Sequence, residues 1–499
     1  MRVLYACSEL FPLLKTGGLA DVSAALPPAL RLAGCDVRIL IPAYPALESA
    51  FQALAGQPQL HLPQVNGLGP KPAKESTDCL PHLMLGQLST DAAAHCYLLR
   101  SPALFEREGN PYLDSEGQPW PDNAIRFAFL SWAAACLGQG LDDAWQPDIV
   151  HCHDWHTGLA PIYMRELAAG DPPKAATIFT IHNLAYQGLF PRSDFDQLGL
   201  PPDLFDIDGL EFHDQVSFMK AGLQFAQQLT TVSPTYAQEI LTPEQGMGLD
   251  GLLRNRADAL CGILNGVDYT VWSPEHDALL MHHYDADSLE KKALAKAQLQ
   301  SRLNLQERQG ATILGVVSRL SEQKGLHLVH AAIDQIVQAG GQLALLGSGD
   351  PDLEEAFLLA ADEHPGQVGV FIGYHEDMAH TILAGSDVIL LPSRFEPCGL
   401  TQLYGLRYGT LPLVHRVGGL ADTVVDATET ALRDNTASGF VFKDFSVVGL
   451  QKTLARAFSM KKKGKVWTKL QQNAMRLRFD WTVAAQGYLA LYSKVKTTA

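Results

Sequence analysis

Two long stretches of this chain alternate short apolar runs with helix-length amphipathic segments. That alternation constrains the fold more than any other feature, because it is satisfied by parallel sheets with helices packed on their faces. In the first stretch Arg2 to Ser8 reads as a strand, followed by a loop through Gly17-Gly18, a helix from about Asp21 to Ala33 and a strand from Asp36 to Pro42. Further strands are expected at Asp148 to His153, Thr177 to Ile181 and Gln228 to Val232. The region from Leu47 to Gly117, rich in Pro, Gly and polar residues, reads as excursions on that scaffold.

The second stretch is cleaner. Strand Ala311 to Val317 leads into Ser318-Arg319-Leu320, then a helix from about Leu326 to Gln338 that Gly340-Gly341 ends. Strand Gln342 to Leu346 runs into Gly347-Ser348-Gly349-Asp350, and the alternation continues with helix Asp352 to Glu363, strand Val368 to Ile372 and helix Glu376 to Leu383. Strands Asp387 to Leu391 and Leu411 to His415 complete a doubly wound α/β sheet. A boundary near Asn265-Gly266-Val267-Asp268 gives domains 1–264 and 265–479. An amphipathic closing helix then follows in 480–499, anchored by Trp481, Tyr488, Leu491 and Tyr492. The pentapeptide Gly17-Gly18-Leu19-Ala20-Asp21 recurs as Gly418-Gly419-Leu420-Ala421-Asp422, each copy in a loop before a helix. Two facing α/β domains that offer Gly-rich turns to a shared cleft is the economical reading.

A length of 499 residues calls for two or three cores. A net charge of −16 argues against nucleic acid and anionic membranes as partners, so an anionic ligand must be met by local cations and backbone N–H groups. The one dense basic run, Lys461-Lys462-Lys463-Gly464-Lys465, reads as a solvated helix face. No apolar run reaches membrane-spanning length, and a strand-like start at Arg2 leaves no room for a targeting peptide. The eight cysteines include no CxxC pair. Cys96, Cys136, Cys152 and Cys261 lie in apolar segments as small hydrophobes, so a reducing, cytoplasmic location is expected.

Four constellations carry chemistry. In Lys15-Thr16-Gly17-Gly18-Leu19-Ala20-Asp21, paired glycines let backbone N–H groups approach a phosphate, a helix N-terminus adds partial positive charge, and Lys15 adds a full one. The spacing is not that of a Walker A loop, and a plain tight turn is the competing reading. Arg319 and Lys324, in the loop after a strand, are placed to clamp a diphosphate; two solvated charges are the alternative. In Arg394-Phe395-Glu396-Pro397-Cys398-Gly399-Leu400-Thr401 the carboxylate can hold sugar hydroxyls beside a Gly-led helix start, and Cys398 fits packing better than nucleophilic attack. His151-Cys152-His153-Asp154-Trp155-His156 and Ile181-His182-Asn183 are strand ends that aim polar groups at a ligand. A metal at the alternate histidines is disfavoured for want of a second ligand cluster, and Asp206-Ile207-Asp208 lies in an irregular region where a metal role is coincidental.

Together these segments resemble the bacterial glycogen synthase and plant starch synthase family over nearly the whole chain. The matching stretches are Lys15 to Val22, His151 to Gly158, Thr180 to Gly188, Leu264 to Asp268, Ser318 to Gly325, Gly373-Tyr374 and Glu396 to Tyr404. The resemblance implies the GT-B architecture, two Rossmann-like domains facing a central cleft with the C-terminal helix crossing back to the first. It also implies transfer of glucose from ADP-glucose to the non-reducing end of an α-1,4-glucan such as glycogen, retaining the α configuration and using no metal or cofactor. By the same resemblance Lys15, Gly17 and Gly18 contact donor phosphate, Arg319 and Lys324 hold the diphosphate, and Glu396 with the Cys398-Gly399-Leu400 backbone binds glucose. Tyr374 stacks on adenine, His182 and Asn265 line the sugar site with Asn183 and Thr401 beside it, and Asp21 and Asp154 lie nearby. Tyr404 stands where many related transferases carry a second Glu, in agreement with this family, and His327 stands where the family often has Asp, with no consequence expected.

No carboxylate presents itself as the nucleophile of a double displacement, so front-face attack is expected, with the leaving phosphate helping to deprotonate the acceptor. A hinge near Asn265 is expected to bring Lys15 toward Arg319 and Lys324. Competing readings are a glucosyltransferase using UDP-glucose, a sugar-nucleotide epimerase on the same architecture, a glucan phosphorylase, for which no pyridoxal-phosphate lysine context is recognisable, and a non-catalytic glucan-binding protein.

Overall fold

Each stretch of strand–helix alternation forms its own sheet in the computed structural model of the chain, which describes residues 1–65, 68 and 81–498. One compact unit comprises Met1–Val232, Ala237–Gly266 and the chain from Trp481, and the other comprises Ser233–Tyr236 and Val267–Asp480.

The strands of the first unit are β1 (Arg2–Ala6), β2 (Asp36–Pro42), β3 (Phe51–Ala53), β4 (Leu60–His61), β5 (His82–Leu88), β6 (Asp91–Arg100), β7 (Ile149–His153), β8 (Ala176–Ile181), β9 (Leu189–Pro191), β10 (Glu211–Phe212), β11 (Gln215–Ser217), β12 (Gln228–Thr231) and β13 (Leu260–Gly262). Its main sheet runs in the order β13-β12-β8-β7-β1-β2-β6-β5-β3, with β4 against β5, while β9, β10 and β11 form a small separate sheet. From β13 to β6 neighbouring strands are parallel, and β5 and β3 add an antiparallel edge. Parallel strands covered on both faces read as near-continuous apolar runs, and β1, β7 and β8 are almost wholly buried.

The Leu47 to Gly117 region departs from the expected excursions. β3, β5 and β6 join the main sheet, with β5 and β6 paired as a hairpin across Ser89-Thr90. Residues 66, 67 and 69–80 of that region lie outside the described residues. The Asn123–Gly138 helix has no place in the sequence reading for a physical reason. It is buried all round, Arg126 included, so it lacks the polar stripe that betrays an amphipathic helix.

The final helix, Trp481–Thr498, packs within this first unit. The Tyr492 hydroxyl lies 2.8 Å from His151 Nδ1, and the Lys496 ammonium donates to Asp148 at 2.8 Å.

The second unit holds β14 (Ile313–Val317), β15 (Gln342–Gly347), β16 (Val368–Ile372), β17 (Val388–Leu391), β18 (Leu411–His415) and β19 (Phe440–Phe442). All are parallel, in the order β16-β15-β14-β17-β18-β19, the doubly wound arrangement. The helix expected from Leu326 to Gln338 is two helices, Leu326–His330 and Ile333–Gln338. Between them Ala332 N bonds three residues back to Val329 O, a tighter turn that breaks the α-helical ladder.

The edge of this sheet where the strands begin is fastened by lysine side chains. Lys292 Nζ donates to Ala384 O at 2.6 Å, Thr410 Oγ1 at 2.8 Å and Tyr408 O at 3.0 Å. Asp387, next to β17, accepts from Lys296 Nζ at 2.7 Å, Lys461 Nζ at 2.6 Å and Ile313 N at 2.9 Å. Lys461 therefore departs from the solvated basic face expected of its run: its ammonium pairs with a buried carboxylate and lies 4.8 Å from the Trp467 ring centroid. Lys462, Lys463 and Lys465 are exposed.

Burial would raise the Asp387 pKa, but Lys461 and Lys296 more than offset it and hold the carboxyl down to about 2. An unfolded Asp titrates near 3.9. The ionised form therefore stabilises the fold in full above that value, and this stabilisation is lost as pH falls through the window down to about 2. Asp387→Asn should cost about 3–5 kcal/mol in urea unfolding at pH 7, because two ammonium groups lose their buried counter-ion. The variant should also lose part of the acid sensitivity of the parent between pH 4 and pH 2.

Candidate active site

In each unit the predicted residues gather in loops that follow the C-terminal ends of adjacent parallel strands, the edge where open α/β sheets bind ligands.

In the second unit Arg319 and Lys324 lie in the loop after β14, and Glu396 lies in the loop after β17, the next strand in the sheet. That neighbour relation brings together residues 72 apart in sequence. Lys324 Nζ donates to Glu396 Oε2 at 2.6 Å, and Ser393 Oγ donates to the same oxygen at 2.9 Å. Glu396 is buried, and Arg319, on the β14 loop, is exposed.

Close backbone packing fixes these loops. A Cβ on Gly325, where φ is +68°, would lie 2.0 Å from Pro392 O, so only glycine serves there. Gly418 opens the helix after β18, and a Cβ there would meet Glu396 O at 1.9 Å. Gly419 N donates to Glu396 O and Pro397 O at 3.1 and 3.2 Å. The second copy of the Gly-Gly-Leu-Ala-Asp pentapeptide thus clamps the backbone of the glutamate loop.

Cys398 is buried, and its carbonyl accepts from Gln402 Nε2 at 3.0 Å, as does that of Gly399 at 2.8 Å. Gly399 has φ +71°, Leu400 stands at the helix N-cap, and Thr401 is the first residue of the Thr401–Arg407 helix. Tyr374 is well exposed after β16, with its hydroxyl on the Glu376 carboxylate. Tyr404 stacks on Trp272 at 4.0 Å and 6°, and Trp272 in turn stacks on His380 at 3.8 Å. His327 packs edge-on against Phe445 at 5.9 Å.

In the first unit the Lys15 loop joins β1 to the Gly18–Leu32 helix, whose N-cap is Gly17 in extended backbone. Lys15 Nζ pairs with Asp21 Oδ1 at 3.0 Å and sits 5.1 Å from the centroid of the Phe11 ring. The expectation that the loop's N–H groups face a phosphate needs revision at Gly17. Gly17 N and Thr16 N donate to Glu9 Oε2 at 3.1 and 2.7 Å, and Thr16 Oγ1 donates to Glu9 Oε1 at 2.6 Å. Tyr112 Oη donates to Glu9 Oε1 at 2.5 Å. Neither Glu9 nor Tyr112 figures in the sequence reading. Glu9 carried one overlooked signal, its position just past the end of a buried parallel strand.

β7 and β8 deliver the histidines. His151 and His153 share a face, with ring centroids 4.0 Å apart. His151 Nε2 lies 2.6 Å from Thr180 Oγ1, and His153 Nδ1 lies 2.9 Å from His182 Nε2. Burial pushes His151 and His182 down to about 3, so both imidazoles are neutral at pH 7. Asp154 follows β7 with φ +57°, a strained backbone for an L-residue, and its Oδ1 accepts from His182 N at 3.1 Å. Burial raises its carboxyl to about 7 even though the backbone N–H groups of His182 and Asn183 favour the ionised form. Asn183 Oδ1 accepts from Ala185 N, and Asn265, past β13, is buried with Oδ1 unpartnered in the structure.

Asp206 accepts from Asp208 N in a local turn beside exposed Ile207. Among the described residues no cluster of His, Cys, Asp and Glu has a metal-holding arrangement, and no helix is long and apolar enough to cross a membrane.

Residues 2–255 match the starch synthase catalytic domain family, and residues 298–474 match the glycosyl transferases group 1 family. The chain is 56% identical over 499 residues to a glycogen synthase of Albidiferax ferrireducens, covering 100% of both chains. It is 51% identical over 498 residues to one of Francisella philomiragia, covering 99% of this chain and 100% of the other. Among solved structures, the catalytic domain of starch synthase IV from Arabidopsis thaliana, bound to ADP and acarbose, superposes with a TM-score of 0.86 at 32% identity, covering 99% of each chain. A sucrose-phosphate synthase from Thermosynechococcus elongatus, with TM-score 0.58 and 16% identity over 100% of this chain and 99% of that one, shares the fold. The chain belongs to the glycogen synthase and starch synthase family of GT-B glycosyltransferases.

Proposed function

We propose that the chain transfers glucose from ADP-glucose to the non-reducing end of an α-1,4-glucan in the cytoplasm, retaining the α configuration and releasing ADP. The observation that carries this reading is the buried Glu396 carboxylate held by Lys324 and Ser393 beside the glycine-packed helix start at Gly399. A cation, a carboxylate and a helix start thus meet at one strand-end cluster, which supports the reading. Full-length likeness to proteins named glycogen synthase supports a glucan acceptor, and the ADP bound by the plant neighbour supports the nucleotide.

On this reading residues 265–479 bind the sugar nucleotide, and residues 1–264 supply the acceptor side and the Lys15 loop, with the helix of 480–499 packed upon them. Arg319 and Lys324 hold the diphosphate, and Lys15 with the backbone at Gly18 meets donor phosphate, the Gly17 N–H being held by Glu9. Glu396 and the backbone of Cys398, Gly399 and Leu400 hold glucose, with Thr401 at the helix start. Tyr374 offers its exposed ring to adenine. His182, Asn183 and Asn265 face the sugar, with Asp21 and Asp154 beside them.

Cleaving the glycosidic bond leaves an oxocarbenium-like sugar and a diphosphate with new negative charge, so fixed cations and N–H dipoles lower the barrier more than they bind the ground state. A neutral His182 adds a hydrogen bond without adding positive charge beside the cationic sugar.

Incubation with radiolabelled ADP-glucose or UDP-glucose and glycogen should move label into polymer chiefly from ADP-glucose. Release of label as a free sugar, or its retention on the nucleotide as an epimer, would overturn the assignment. Lys15→Ala should lower kcat/KM for the sugar nucleotide by about a hundredfold or more, with an unchanged circular dichroism spectrum. If the ionised Asp154 supports transfer, kcat/KM should rise with pH through about 7, and Asp154→Asn should remove that inflection; a profile unchanged by the substitution counts against a role for its charge.

A further inference from the structure

Glu9 lies at the centre of a hydrogen-bond cluster that the donor chemistry does not explain. Glu9 is 3% exposed, in a chain already at −16, and its carboxylate adjoins a loop proposed to meet phosphate. A second carboxylate, Asp21, already pairs with Lys15. Near an anionic ligand a buried negative charge is an electrostatic cost, so its use must be sought in its geometry.

That geometry is specific. Oε2 accepts the N–H groups of Thr16 and Gly17, and Oε1 accepts the hydroxyls of Thr16 and Tyr112. Four donors therefore converge on one carboxylate, and three of them come from two consecutive residues of the Lys15 loop. Gly17 has open space where a Cβ would stand, so no neighbouring atom packs against the loop at that point.

The fourth donor belongs to a loop braced for its delivery. Asn110 Oδ1 accepts the backbone N–H groups of Tyr112 and Leu113 at 2.8 Å each, and Asn123 Nδ2 donates to Tyr112 O at 2.9 Å. The buried Arg126 guanidinium donates to Pro111 O, Leu104 O and Asn123 Oδ1 at 2.7 to 2.8 Å. The Tyr112 ring stacks on His156 at 4.8 Å.

We propose that Glu9 is a positioning residue, which with Tyr112 locks the Lys15–Gly18 loop in the conformation that receives the donor phosphate. The inference rests on the reading of that loop as a donor-phosphate site. In this role Glu9 acts through its contacts with Thr16 and Gly17 rather than through contact with the reacting atoms.

Hydrogen-bond polarity yields a discriminating test. In Glu9→Gln the amide oxygen can still accept both backbone N–H groups. The amide N–H groups can then donate to the Thr16 and Tyr112 hydroxyls, which accept as readily as they donate. Tyr112 Oη would in turn donate to Ser8 Oγ, which lies 3.0 Å away. The glutamine variant thus rebuilds the lock without the charge, whereas Glu9→Ala removes it.

The test measures kcat and KM for ADP-glucose in parent, Glu9→Gln, Glu9→Ala and Tyr112→Phe, together with amide hydrogen exchange of the segment spanning Thr16 and Gly17. Glu9→Ala should lose about a hundredfold in kcat/KM, the scale of misplacement by an ångström, and its loop amides should exchange faster. Tyr112→Phe should fall between Ala and parent, and Glu9→Gln should remain within about threefold of parent in both readouts. A glutamine variant as impaired as alanine, with its loop still protected, would show that the charge matters and the positioning does not. Fast exchange with undiminished kcat/KM would also overturn the proposal. Should Glu9→Ala fail to fold, the comparison of Gln, Phe and parent decides alone. Unimpaired turnover in Lys15→Ala, by contrast, would sink the donor-phosphate reading of the loop whatever Glu9 does.

Discussion

The backbone ladder of a parallel sheet sends every strand out at the same edge, and the rest of this structure follows from that constraint. Residues far apart in sequence become neighbours when their strands are neighbours. Glu9, Asp154 and His182 follow β1, β7 and β8, which lie side by side in the first sheet. Arg319, Glu396 and Gly418 follow β14, β17 and β18, likewise adjacent in the second. The opposite edge of the second sheet carries the buried Asp387 triad and the Lys292 amide contacts, so anchoring and chemistry are separated by the length of a strand.

The two lysines proposed to meet phosphate are held in place by carboxylates. Lys324 donates to Glu396, and Lys15 pairs with Asp21. Each pair keeps a flexible lysine in one rotamer region before a ligand arrives, which reduces the ordering cost of binding. Each also sets a competition, since a diphosphate must draw the ammonium toward itself. A chain with a net charge of −16 relies on such local arrangements, because its overall field repels an anionic donor.

Much of this was legible in the sequence because the second unit is built from regular parallel repeats. The strands Val368–Ile372 and Leu411–His415 were readable to the residue, and β2 likewise, since turn residues bound short apolar runs there. The Asn123–Gly138 helix, buried except at Ile125, shows no polar stripe, and the β5–β6 hairpin lies in a region whose Pro and Gly content mimics irregular loop. Lys461 departs from its local pattern because a charge in a basic run looks solvated until a distant carboxylate is brought beneath it. The glycine, lysine and glutamate motifs announced themselves by local pattern. Glu9 did not, because its partners Thr16 and Tyr112 become meaningful only once β1 and the loop around Asn110 are folded together.

The most direct test of the account is the stereochemistry and destination of the transferred sugar, followed by proton NMR with ADP-glucose and a maltooligosaccharide acceptor. Retaining transfer predicts that α-1,4 anomeric signals grow from the first turnover, one new linkage for each ADP released, with no β-linked product at any time. A β-configured product, or ADP release accompanied by free glucose without chain growth, would contradict it.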